Sequence, residues 1–145
     1  MTARETLQEL RIAADELQEL YRTRAGVYDM LTNATTRPSP TGIRGSGDVH
    51  RLDVLGEVSD RVDAQIAVLA AMRARALGLI ARLDDSRQRS VLMAYYVNCR
   101  RADGSPVSWD DVAEKIHVSR RTALRKHEAA LAELDMLALI DTGGL

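Results

Sequence analysis

The chain is poor in several residue types that would mark other classes of protein. Its 145 residues include no phenylalanine, three prolines and one cysteine, and 3% of them are aromatic. With a hydrophobic content of 46%, this composition predicts an all-helical fold with a real core. Cys99 has no second cysteine for an intrachain disulfide, which fits a reducing cytoplasm and a packing role near a helix end.

Long apolar runs are also absent. No stretch approaches the roughly eighteen apolar residues that a membrane-spanning helix needs, and the first residues do not resemble a secretory signal. We therefore expect a soluble, cytoplasmic protein without membrane contact. The net charge is -1, so any binding of nucleic acid would depend on local segregation of basic residues and not on an overall positive charge.

Catalytic signatures are missing as well. The three histidines, His50, His117 and His127, have no Cys, Asp or Glu at metal-ligand spacing, and we find no phosphate-binding glycine loop or nucleophile motif. A helix N-terminus explains the pair Asp110-Asp111 better than acid-base chemistry does. We therefore expect a protein that is not an enzyme and that uses no metal or cofactor.

Two long amphipathic helices are predicted in the first domain, residues 1–85. Apolar residues recur at steps of three and four from about Arg4 to Leu31 and again from about His50 to Leu83. The segment Thr32 to Asp48 is rich in Pro, Gly, Ser and Thr, and we expect it to be a flexible connection. An antiparallel, coiled-coil-like hairpin is the simplest arrangement, and self-association through the same seam is the alternative.

The second predicted domain, residues 86–145, contains shorter helices. We expect a helix from Arg87 to about Asn98, with Arg87 and Arg89 free to reach a phosphate backbone. A polar loop, Cys99 to Val107, precedes Trp109, which we expect to pack against Tyr95 or Tyr96 and not to stack on a base. The apolar tail, Asp135 to Leu145, is expected to dock on the long helices or on a second copy.

The most informative stretch is Ser108 to Leu134. It reads as two helices joined by the turn His117-Val118-Ser119, which is the outline of a helix-turn-helix. Ser108, with Asp111 three residues later, is expected to cap the first helix, and Ser119 is expected to cap the second.

The second of these helices, residues 119–134, has two different faces. Ala123, His127, Ala130 and Leu134 recur at steps of four, three and four, so they are expected to face inward. At about 100° per residue, Arg121 and Arg125 then point away from the core, with Arg120 and Lys126 beside them. This pattern predicts a basic outer face of the kind that a helix-turn-helix presents to the major groove.

The chain from Arg87 onward resembles region 4 of sigma-70-type RNA polymerase sigma factors, and more closely the phage-encoded transcriptional regulators of the RinA/ArpU type. The resemblance rests on Arg87-Gln88-Arg89, Tyr96, Ser108-Trp109, Val112-Ala113-Glu114, Ser119, Arg121-Thr122, Arg125, His127, Ala130-Leu131 and Leu134. One departure is His117, which stands where these proteins usually have glycine and must therefore accept a left-handed backbone or an altered turn.

The resemblance implies a phage or prophage transcription regulator that binds double-stranded DNA and, in the sigma factors, also touches RNA polymerase. Carried over by position, it implies base contacts from Arg121, Arg125 and Thr122, and a buried core position for His127. The residues implied to contact the DNA backbone are Ser119, Arg120, Lys126, Arg87, Arg89 and Ser108. Two alternatives remain open: a DNA-binding packaging component similar to small terminase subunits, and a helical adaptor that binds another protein. A homodimer through the long helices or the tail is also left open.

Overall fold

The structure is a computed structural model that describes residues 2–36 and 46–143. Within these ranges the chain is all-helical and forms no strand, which confirms the prediction of an all-α fold. The helices are α1 Ala3–Thr36, α2 Ser46–Ile80, α3 Ser86–Leu92, α4 Trp109–Lys115 and α5 Arg120–Gly143. No helix in the described ranges combines the length and the apolar character that crossing a bilayer would require.

The two long helices have different bounds from those predicted. α1 continues beyond Leu31 to Thr36, and α2 begins at Ser46 instead of His50 and ends at Ile80 instead of Leu83. Thr and Asn reduce helix propensity by less than about 1 kcal/mol per residue, so they do not end α1 by themselves. The connection predicted over Thr32 to Asp48 is therefore shorter at both ends, and its centre, residues 37–45, lies outside the described residues.

Residues 15–68 form one compact unit, made from the second part of α1 and the first part of α2. Among the residues of this unit that the structure describes, the buried apolar side chains are Leu17 of α1 and Val58 and Val62 of α2. The side-chain amide of Gln65 donates to the carboxylate of Glu16 over 3.3 Å. Leu17, Val58 and Val62 belong to the apolar stripes that the spacing predicts. Burial of these stripes stabilises the unit through the hydrophobic effect.

The other compact unit combines the start of α1, up to Ala14, with the chain from Leu69 onward. Each of its helical segments except α4 contributes to one apolar cluster, whose buried members include Leu7, Leu10, Ala76, Ile80, Leu83, Leu92, Tyr96, Leu131 and Leu134. The expected division at residue 85 therefore does not match the compact units. The reason is that the ends of both long helices bury apolar side chains against α3 and α5.

The third predicted helix is present as two types of helix in succession. Asp85 caps α3 by accepting hydrogen bonds from the backbone N–H groups of Arg87, at 2.8 Å, and Gln88, at 3.3 Å. From Met93 to Val97 the chain continues as a π-helix, and the Asn98 N–H donates to the Met93 carbonyl over 2.8 Å. This wider turn has the five-residue hydrogen-bond spacing of a π-bulge.

The end of this π-helix is supported from α1. Carbonyl groups in the last turn of a helix lack partners within the helix. The guanidinium of Arg11 donates to the Tyr95 carbonyl and to the Val107 carbonyl, each over 2.7 Å, and lies 3.9 Å from the centre of the Tyr95 ring. Arg11 thus connects α1 to the π-helix and to the loop that leads into α4.

Candidate nucleic-acid interface

The first helix of the candidate interface, α4, begins with the predicted cap. The Ser108 hydroxyl accepts from the Asp111 N–H over 3.2 Å, and the Asp111 carboxylate accepts from the Ser108 N–H over 2.9 Å, so the two residues form a complete capping box. The Arg101 Nε also donates to this carboxylate, over 2.8 Å. The Ser108 N–H first, and then Arg101, lower the pKa of Asp111 below its usual value.

The turn after α4 contains a left-handed residue, which is one of the two outcomes that the sequence leaves open at His117. His117 has a φ of 60°, a conformation that glycine usually adopts. The Val118 N–H donates to the Ala113 carbonyl over 3.0 Å, and the His117 N–H donates to the Glu114 carbonyl over 3.3 Å. This pair of bonds is a Schellman motif, which satisfies the free carbonyls at the end of α4 and fixes the direction in which the chain leaves it.

The second helix, α5, is capped at Ser119 as predicted. The Thr122 N–H donates to the Ser119 hydroxyl over 3.1 Å, and the two hydroxyl groups are 2.9 Å apart. The inward stripe is also confirmed, because its four residues are all buried: Ala123, His127, Ala130 and Leu134. Ala123 packs with Val112 and Ala113 of α4, so small side chains allow the two helices to approach closely.

Arg120, Arg121, Arg125 and Lys126 form what we call the cationic face of α5. The three arginines are exposed and Lys126 is half-buried. Asp110 and Asp85 each interact with a cation of this face. The Arg120 Nε lies 4.0 Å from the Asp110 Oδ1, and the charge of Lys126 contributes to the lowered pKa of Asp85, after the larger effects of its backbone hydrogen bonds to Arg87 and Gln88.

Three residues expected to contact a phosphate backbone have other bonds: Arg89, Ser108 and Ser119, whose hydroxyl caps α5. Arg89 was expected to be free, but its Nη1 donates to the Leu83 carbonyl over 2.5 Å and to the Asp84 carbonyl over 2.9 Å. These carbonyls follow the end of α2 and need a donor, which explains why they hold the guanidinium. The Ser108 hydroxyl is part of the capping box. Arg87 is exposed, as predicted.

An aromatic cluster lies on the inner side of α4 and α5. Trp109 stacks on Tyr95 at a ring separation of 4.0 Å and an interplanar angle of 14°, which confirms the expectation that it packs against a tyrosine. The Tyr96 hydroxyl and the His127 Nε2 are 2.6 Å apart, and both side chains are buried. Burial lowers the pKa of His127, with an opposing effect from the charge of Glu128, and burial raises the pKa of Tyr96 to about 12. His127 is therefore a neutral core residue.

The C-terminal tail docks less completely than expected. Leu137 packs against the main apolar cluster, but Met136, Leu139 and Ile140 are 58%, 69% and 63% exposed. Helix α5 continues to Gly143. Because the tail is part of a helix, its side chains point in several directions and one face alone can reach the core.

The described residues include no group of three or more His, Cys, Asp or Glu side chains that could hold a metal ion. Cys99 is buried, and burial raises the pKa of its thiol, so the neighbouring arginines do not activate it. Protein-family models, curated proteins and solved structures were compared with the chain, and none of them matches it.

Proposed function

We propose that α4, the turn after it and α5 form a helix-turn-helix that binds duplex DNA, with α5 lying in the major groove. The observation that carries this proposal is the division of α5 into two faces. Ala123 and His127 face the core, whereas Arg121 and Arg125 are exposed on the opposite side of the same two turns. An arginine at such a position can donate two hydrogen bonds to the O6 and N7 atoms of guanine.

The local geometry supports this role because it makes the exposed face rigid. The Schellman motif at His117 and the cap at Ser119 hold the turn at both ends, and Val118 of the turn packs against the apolar cluster that includes Val112 and Ala123. Side chains on such a frame lose less conformational entropy on binding than side chains on a loose loop. The N-terminus of α5 also carries a partial positive charge, which favours an approaching phosphate.

The proposed contacts divide into base and backbone contacts. Arg121 and Arg125 read base edges, with Thr122 between them. Arg120 and Lys126 contact phosphates at the sides of the groove. Exposed Arg87 reaches the backbone from the start of α3. Ser108 and Ser119 act mainly through the caps they form, and Arg89 acts through the end of α2 that it holds.

Together with the sequence resemblance, this surface makes a phage or prophage transcription regulator the best-supported function. The long helices α1 and α2, proposed to form an antiparallel hairpin, would carry the DNA-binding part. RNA polymerase is a candidate partner only through the resemblance. A regulator of this kind needs specific recognition of a duplex site, so sequence specificity is the property to test.

The direct experiment is selection of bound fragments from a random pool of duplex DNA, followed by affinity measurements on the selected duplex. Arg121→Ala and Arg125→Ala are each expected to cost about 1 to 3 kcal/mol of binding free energy and to relax base preference at one position. Lys126→Ala should weaken binding to all sequences alike and reduce the log-log salt slope by about 0.9. Arg75→Ala, which removes an exposed arginine of α2, is the matched control.

Two results would contradict the proposal. If the parent protein shows no salt-dependent binding to duplex DNA, the surface does not bind DNA. If it binds, but Arg121→Ala and Arg125→Ala bind the selected duplex as tightly as Arg75→Ala does, then α5 is not the reading helix.

A second candidate, a DNA-packaging component, is favoured by the apolar side chains that the unit of residues 15–68 leaves exposed. Tyr28, Leu52 and Val68 are 61%, 60% and 48% exposed, which is consistent with contacts between subunits. The number of subunits distinguishes the candidates. A ring of about eight or more copies in analytical ultracentrifugation would favour packaging, and a monomer or dimer would favour promoter binding.

A further inference from the structure

The acids next to the cationic face of α5 differ in how their carboxylates are used. Asp111 completes the capping box of α4 and also binds Arg101. Asp85 caps α3 through two backbone N–H groups. Glu128 forms an ion pair with Arg4. Each of these three acids therefore has a partner that helps to hold the fold together.

Asp110 is different. Its side chain is 75% exposed, and the contact found for it among the described residues is with Arg120, whose Nε lies 4.0 Å from the Asp110 Oδ1. Arg120 is the first residue of α5. Asp110 lies in the first turn of α4, where the helix dipole favours a carboxylate, and the same carboxylate also faces the start of α5.

We infer that Asp110 is a specificity-determining residue, which restrains the Arg120 guanidinium and repels phosphate at the start of the reading helix. This inference rests on the proposed function. Non-specific binding depends almost entirely on contacts between cations and phosphates. A carboxylate beside one of those cations therefore weakens binding to every sequence that offers phosphate contacts alone.

Repulsion of phosphate by itself weakens binding to both kinds of duplex equally. Binding to the selected site is affected less because the restraint holds Arg120 near one position before DNA arrives, which lowers the entropy lost when its contact in the specific complex forms. Asp110 thus increases the ratio of specific to non-specific affinity.

The experiment compares Asp110→Asn with the parent on two probes, the duplex recovered by selection and a shuffled duplex of the same length and composition. One charge pair at about 4 Å in water corresponds to a factor of about five in affinity. Asp110→Asn should therefore tighten binding to the shuffled duplex about fivefold and steepen its salt slope by up to about 0.9. Binding to the selected duplex should change by less than about twofold.

Two further variants isolate the cause. Glu133→Gln removes the same charge from an exposed position of α5 outside the cationic face, and it should leave the ratio of the two affinities unchanged. In an Arg120→Ala background, Asp110→Asn should tighten binding to both probes by equal factors, because no guanidinium remains to be restrained. Thermal melting of each variant checks the fold, since loss of a helix-terminal acid would lower stability without changing the affinity ratio.

The outcomes separate this inference from the proposed function. If the parent binds the selected duplex and Asp110→Asn leaves the ratio unchanged, Asp110 does not determine specificity although α5 still binds DNA. If the ratio falls equally with and without Arg120, Asp110 does not act through the Arg120 guanidinium and the restraint is wrong. If the parent binds neither duplex, the proposed function fails, and this inference fails with it.

Discussion

The buried pair of Tyr96 and His127 offers a test of what holds the C-terminal helices together. The Tyr96 hydroxyl lies 2.6 Å from the His127 Nε2, and the two side chains are 1% and 4% exposed. Because burial keeps the phenol protonated, we assign its O–H as the donor and place the imidazole proton on Nδ1. That proton then faces the Glu128 Oε1 at 3.4 Å, although the two atoms do not form a hydrogen bond.

Tyr96→Phe removes this hydroxyl and little else. The His127 ring would then have no hydrogen bond at either nitrogen among the described residues, because its Nδ1 already lacks one. A buried polar atom left without its partner typically costs about 1 to 3 kcal/mol. For a chain of this length, that loss corresponds to a fall of about 3 to 10 °C in melting temperature.

Urea unfolding followed by the fluorescence of Trp109 is a suitable measurement at pH 8. Trp109 is the one tryptophan of the chain and lies 4.7 Å, ring centre to ring centre, from His127. Its signal therefore reports on the compact unit that contains the pair. Tyr28→Phe, which removes a hydroxyl from a side chain that is 61% exposed, is the control and should change stability by less than about 0.5 kcal/mol.

A Tyr96→Phe protein as stable as the Tyr28→Phe control would refute this reasoning. It would mean that the hydrogen bond contributes nothing, or that water enters and replaces the lost hydroxyl. At low urea, Tyr96→Phe must keep the circular dichroism spectrum of the parent in either case. A global loss of structure would have a cause other than the missing hydrogen bond.

Two further predictions concern histidines. Burial lowers the pKa of His127 in the folded state, so the folded state binds fewer protons than the unfolded state. The contribution of neutral His127 to stability is therefore complete above its unfolded pKa of about 6.5, and it is lost as the pH falls towards its folded pKa. The parent should lose stability between about pH 7 and pH 5, and His127→Gln should flatten that dependence in urea titrations; equal slopes would rule out His127 as the titrating group. His117 adopts a φ of 60°, so His117→Gly should stabilise the protein by about 0.5 kcal/mol and His117→Val should destabilise it by about 1 to 2 kcal/mol. The melting temperature should rise in His117→Gly and fall in His117→Val. Equal changes in the two variants would show that the turn relaxes around residue 117.

The features of the α4–α5 region that were correctly predicted from the sequence depend on residues close together in the chain. Ser108 and Asp111 are three residues apart, and that spacing is sufficient for a capping box. The position of His117 directly after a helix left a left-handed backbone or an altered turn open, and the structure has the left-handed one. The buried and exposed faces of α5 follow from the helical repeat alone, because rotation by about 100° per residue separates Ala123 from Arg121 and Arg125.

Features that the sequence did not reveal depend on contacts between distant segments. Arg11 supports the Tyr95 carbonyl from 84 positions away in the chain, and nothing in its neighbours marks it for that role. Arg89 looked free because its sequence context is exposed and polar, but the end of α2 places two carbonyls within its reach. The meeting of Asp110 with Arg120 likewise depends on how α4 crosses α5.

By itself, then, the sequence determined that the chain is all-helical, where α4 and α5 begin, and which side of α5 faces the core. These properties follow from local hydrogen bonding and from the periodicity of apolar residues, which act within a few turns of helix. The tertiary structure alone decided which arginines bind backbone carbonyls, as Arg11 and Arg89 do, and how the compact units divide the chain. The free energy of these arrangements comes from buried area, hydrogen bonds and ion pairs between segments far apart in sequence, and no local pattern specifies those partners.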